Sequence, residues 1–119
     1  MSNTLTIGFT ESDRAADYCP MMDGWRPGAR QRELTIAAPE GGHDIETIAE
    51  ALFTATNAPA EIIAADPLAN QMAELLVDAI ADGARVRSLS VGDTITGLDK
   101  DGSRVQVSCE PRGWARWLG

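Results

Sequence analysis

The run Thr94-Ile-Thr-Gly-Leu-Asp-Lys-Asp-Gly-Ser-Arg-Val-Gln-Val-Ser-Cys109 holds two strand-forming stretches on either side of a turn. Val105, Val107 and Cys109 alternate with Arg104, Gln106 and Ser108, the period of two that sends one set of side chains to a core. Asp99-Lys-Asp-Gly supplies the turn, since Asp accepts local backbone hydrogen bonds and Gly tolerates positive φ. Upstream, Leu89-Ser-Val-Gly-Asp leads into the first of these strands. There Gly92 permits a sharp backbone turn and Asp93 accepts a backbone hydrogen bond as the strand begins. Downstream, Glu110-Pro-Arg-Gly turns the chain again before a closing strand from Trp114 to Leu118. The C-terminal third is therefore an antiparallel meander.

Working outward, Leu5, Ile7 and Phe9 alternate with Thr4, Thr6 and Gly8, and Leu34, Ile36 and Ala38 alternate with Glu33, Thr35 and Ala37 until Pro39 removes a ladder donor. These are two N-terminal strands. The connection between them, residues 10–32, is long, and connections beyond roughly 12–15 residues tend to be functional or mobile. Within it Glu11 to Tyr18 has the length of one or two helical turns, and Tyr18 to Gly28 reads as a partner-touching loop or as a hairpin extension. After Gly41-Gly42, Asp44 is an expected N-cap for a helix with Ile45, Ile48, Ala49, Leu52, Phe53 and Thr56 at helical spacing, ended by Asn57 and Pro59. Asp66-Pro67 caps a second helix, with Leu68, Met72, Leu75, Leu76, Ala79 and Ile80 in one apolar stripe up to Gly83. Strands, then helices, then strands imply an α+β fold with the helices on one face of an antiparallel sheet. The length, 119 residues, suits one domain, and a chain of this size buries roughly 65% of its unfolded surface without staples.

The formal net charge of -8 disfavours a binder that neutralises phosphates or anionic lipid. No apolar run approaches the roughly 18–20 residues of a membrane span, and the Met1-Ser-Asn-Thr-Leu-Thr-Ile start lacks a signal peptide's basic and apolar regions. A cytoplasmic protein without a membrane partner is expected. The charge is also segregated. From Glu33 to Ala84 stand ten carboxylates and no Lys or Arg, whereas residues 1–32 are neutral and residues 85–119 sum to +2.

Catalytic chemistry finds little footing. Cys19, Cys109 and the single histidine, His43, have no zinc-ligand spacing, so neither a metal nor any other cofactor is expected, and free thiols are expected in a reducing compartment. Cys19 with His43 as base lacks a third, orienting group. Asp99-Lys-Asp-Gly lacks the later ligands of a calcium loop, no phosphate-binding glycine loop occurs, and no G-x-S-x-G elbow surrounds Ser88 or Ser90. A non-enzymatic role follows from these absences.

Two features read as interaction surfaces. Glu74, Asp78 and Asp82 stand at i, i+4 and i+8 on the second helix, each like-charge pair costing roughly 0.2–0.5 kcal/mol, and Asp82 opposes the helix dipole near the C-terminus. Glu46 and Glu50 repeat the spacing on the first helix. Such rows suit a basic partner or, less well at this net charge, imitation of a nucleic-acid backbone. The second feature is tryptophan: Trp114 and Trp117 are three apart and point to opposite faces of the closing strand. One is then either an exposed contact or homodimer seam, as tryptophan often is, or is covered by the long loop and Trp25. An opposing reading uses Arg85, Arg87, Arg104, Arg112 and Arg116 of the C-terminal sheet as a nucleic-acid-binding cluster.

Arg87-Ser-Leu-Ser-Val-Gly-Asp-Thr-Ile, the Asp-Gly turn, Gly113-Trp114 and Ala51-Leu-Phe-Thr-Ala-Thr-Asn-Ala-Pro together resemble a family of small uncharacterised proteins of actinobacteria, their phages and plasmids. Ser88-Leu-Ser-Val-Gly-Asp also resembles the end of YodL-like domains carried by mobile elements. The resemblance spans about residues 45–119, and departs from the family pattern in the longer, acid-rich second helix and the longer N-terminal connection. It implies an accessory protein of a phage or mobile element with no assigned biochemical role, and supplies no catalytic residues; the acidic segment and the lack of a catalytic constellation make binding of a host or defence protein in the host cell the expected role.

Overall fold

The computed structural model describes residues 3–117; Met1, Ser2 and Leu118, the expected last residue of the closing strand, lie outside the described residues. The alternating runs form five strands: β1 (Thr4–Thr10), β2 (Gln31–Ala37), β3 (Thr94–Leu98), β4 (Arg104–Cys109) and β5 (Trp114–Trp117). They make one antiparallel sheet in the order β2-β1-β3-β4-β5. β1 therefore joins the N-terminal hairpin to the C-terminal meander, with Ile7 opposite both Leu34 and Ile95. The fold is α+β.

Four helices accompany the sheet rather than two: α1 (Pro20–Asp23), α2 (Ile45–Asn57), α3 (Ala60–Ala65) and α4 (Pro67–Ala81). α2 and α4 bury Ile45, Ile48, Leu52, Met72 and Leu76 against Leu5, Ile7, Phe9, Ile36, Ile95, Val105 and Val107 in one core cluster. α3 buries none of its residues, which is why it leaves no apolar stripe in the sequence. Pro59, expected only to stop α2, is the residue from which α3 starts. The expected turns at Glu11 to Tyr18 are not helical. Asp13 and Tyr18 form an isolated antiparallel bridge, exchanging both backbone N–H···O bonds at 2.9 Å, the Ala16 amide donates to the Asp13 carboxylate within the turn, and the helical turn falls later, at α1.

The caps divide in the same way. Asp66 accepts from the Leu68 and Ala69 amides at 3.1 and 3.2 Å ahead of Pro67, as the sequence implies. Asp44 makes no such bond. Its place at the start of α2 is taken by Asp99 of the β3–β4 turn, whose Oδ1 accepts from the Ile45 amide at 2.9 Å. The turn thereby fastens the helix layer to the sheet.

Candidate partner-binding surfaces

The Ser90-Val-Gly-Asp segment builds the most constrained polar cluster. Gly92 sits at φ +94°, which folds the chain so that Asp93 points inward at 0% exposure. Its carboxylate accepts from the Thr10 amide and the Ser90 amide, both at 2.9 Å. Arg87 grips it with both terminal nitrogens, at 2.7 and 2.8 Å, while also lying over the Phe9 ring at 5.1 Å. Asp93 thus ties the end of β1 to the start of β3. The sequence implies one backbone bond to Asp93 and misses the Arg87 clamp, although an Arg six residues before an Asp in a Gly-bent segment is a signal that points to it.

The carboxylates singled out on α2 are engaged within the chain. β5 runs beside α2, and Arg116 makes a forked contact with Glu46 and a second ion pair with Asp99 at 2.9 Å. The Arg116 hydrogen bonds hold the Glu46 carboxyl below the usual range, and the Ile45 amide, with Arg116 adding to it, does the same for Asp99. Glu50 accepts from the Trp114 indole N–H at 3.0 Å. Glu46, Glu50 and Trp114 share an open groove of about 610 Å³ with His43, Asp66 and Leu68. Glu46, Glu50, Asp66 and the Trp114 indole in it already have partners in the chain, so these groups brace this end of the helix layer.

The other two tryptophans lie across the sheet. Trp117 is opposite Gln106 in the ladder, on the face away from the core, and donates its indole N–H to the buried Ser108 hydroxyl at 2.7 Å. Trp25, from the long connection, meets it edge to face with ring centroids 4.8 Å apart. Of the two arrangements the sequence leaves open, the structure has the loop covering the strand: Trp25, Trp114 and Trp117 are all half-buried, none exposed.

Glu74, Asp78 and Asp82 are exposed. Glu74 meets only Asn70, at 3.4 Å, and no Lys or Arg pairs with the three among the described residues. Of the five arginines of the C-terminal sheet, Arg85, Arg104 and Arg112 are exposed and pair with no carboxylate among the described residues. Arg87 and Arg116 are committed to carboxylates, and Arg32 donates to the Arg85 carbonyl. Cys19 and His43 line different grooves: Cys19 shares its own with Thr10, Ser12 and Arg87. Cys109 is buried, and burial pushes its thiol up to about 11. Among the described residues no group of His, Cys, Asp and Glu is arranged to hold a metal ion, and no helix is long and apolar enough to cross a membrane. No family model, no curated protein and no solved structure matches the chain.

Proposed function

We propose that the chain is a non-enzymatic accessory protein that binds a basic surface of another protein through the acidic side of its helix layer. One observation carries this reading. Of the ten carboxylates between Glu33 and Ala84, only Asp44 and Glu46 pair with a base among the described residues. Folding brings the bases of the C-terminal sheet to a few acids and leaves the rest to solvent, so the polarity of the sequence survives as polarity of the surface. Such a field speeds encounter with an oppositely charged partner and repels nucleic acid and anionic lipid. The resemblance to small phage and plasmid proteins supports a host or defence protein as that partner.

A pull-down from actinobacterial lysate tests the reading, run with the wild type and with a Glu74→Gln, Asp78→Asn, Asp82→Asn variant whose circular dichroism is unchanged. At least one protein is expected to be captured by the wild type, to be lost from the variant and to be released by salt as exposed charges are screened. Identical capture by the two proteins would overturn the proposal.

A further inference from the structure

We propose that the α4 face bearing Ala73, Val77 and Ile80, with the groove beside it, docks an amphipathic helix of a partner protein that carries Lys or Arg along one edge. The inference rests on the reading of a basic partner and adds where that partner sits and what shape it takes.

α4 is apolar around more of its circumference than the core uses. Met72 and Leu76 are buried, and Leu68, Leu75 and Ala79 are partly so. Val77 and Ile80, by contrast, are 63% and 51% exposed. Helical periodicity assigns Ile80 to the buried stripe, and the fold leaves it outside. With about 3.6 residues per turn, Ala73, Val77 and Ile80 fall on one strip that borders the buried one. Between that strip and Ala55, Thr56 and Val86 runs an apolar groove of about 270 Å³. It lies toward the Asn57 end of α2, away from the groove of Trp114.

The acids mark the other side of the strip. Glu74 and Asp78 follow Ala73 and Val77 by one position, about 100° further round the helix, and Asp82 extends the row. An apolar strip with a groove on one side and uncompensated carboxylates on the other is the complement of a helix with apolar anchors at i, i+3, i+4 and i+7 and bases beside them. A second copy of this chain fits poorly, because it would set a like row, and a net charge of -8 against -8, across the same contact. Arg87, which also lines the groove, is paired with Asp93, so its charge is compensated within the chain.

The test titrates the full-length protein, labelled with nitrogen-15, with a synthetic helical peptide of leucine, alanine and lysine, alongside a scrambled peptide of the same composition. Amide shifts are expected to concentrate at Ala73, Val77, Ile80 and Val86, with the scrambled peptide binding about tenfold more weakly or worse. Val77→Ser with Ile80→Ser, both surface changes, is expected to weaken the ordered peptide to the level of the scrambled one. Equal binding of the two peptides, or shifts spread over Glu33, Glu40 and Glu61, would overturn the docking surface. So would a dimer in sedimentation that the double substitution dissolves, since the strip would then be a contact between copies. If lysate capture depends on the three carboxylates while the ordered peptide shows no preference for this strip, the basic-partner reading stands and the helix inference falls.

Discussion

Asp93→Ala is expected to lower the free energy of unfolding by about 2–6 kcal/mol, the cost of leaving two backbone donors without an acceptor. The carboxylate is fully buried and receives the Thr10 amide, the Ser90 amide and both terminal nitrogens of Arg87. Truncation leaves two amide N–H groups in a protein environment without an acceptor, each costing about 1–3 kcal/mol. Arg87 suffers less, because its side chain is 41% exposed and turns to water. Arg87→Met is therefore expected to cost less than Asp93→Ala, and Asp93→Asn, which keeps one acceptor oxygen, to fall between wild type and alanine. Urea unfolding gives the values, with an unchanged dependence on denaturant showing that the compactness of the end states is preserved. A loss under about 1 kcal/mol for Asp93→Ala, within the range of an ordinary surface change, would show that the cluster does not hold the two halves of the sheet together.

Gly92→Ala is expected to cost about 2–4 kcal/mol, from two separable sources. The first is conformational: φ is +94°, and a side chain in the left-handed region costs about 1–2 kcal/mol. The second is steric. A Cβ on Gly92 would lie 2.5 Å from the Pro20 Cβ and 3.1 Å from its Cα and carbonyl oxygen, so the start of α1 must move. Gly113 separates the two. It has φ +71°, and an alanine methyl there would meet nothing within 4 Å, so Gly113→Ala carries the conformational cost alone. Equal losses for the two substitutions, measured by the same urea unfolding, would mean that the contact between the long connection and the Ser90–Asp93 bend contributes nothing.

These two residues also show how far the sequence can be read. The strand pairing is visible because Val105 and Val107 alternate with polar residues around an Asp-Gly turn, and the α4 cap because Asp66-Pro67 is a local device whose partners lie within three residues. Local causes leave local marks. The Asp93 clamp combines two local partners, Arg87 and the Ser90 amide, with Thr10 from the far end of the chain, and only the local part can be suspected from spacing. The start of α2 shows the converse: Asp44 makes no side-chain cap, and Asp99, distant in sequence, delivers its carboxylate to the first amide of the helix.

The candidate surface divides along the same line. Glu46 and Glu50 on α2 have the same i, i+4 spacing as Glu74 and Asp78 on α4, and nothing within either helix separates them. What separates them is that β5 returns beside α2 with Arg116 and Trp114, whereas no basic strand reaches the acidic row of α4 among the described residues. Ile80 lies within the arc that helical periodicity assigns to a core. How wide an arc the sheet covers is decided by the placement of α2 and β2, which periodicity does not report.

The central claim is that Glu74, Asp78 and Asp82 are held on α4 for a partner and not for the fold. It is tested most directly by the stability of the Glu74→Gln, Asp78→Asn, Asp82→Asn variant in urea. Two like-charge pairs are relieved, each worth about 0.2–0.5 kcal/mol, and a charge opposing the helix dipole is removed. The variant is therefore expected to be as stable as the wild type or more stable by up to about 1 kcal/mol, as for a row that the fold does not need. A variant less stable than the wild type by about 1 kcal/mol or more, outside the scatter of ordinary surface changes, would show that the row serves the fold and would contradict the claim.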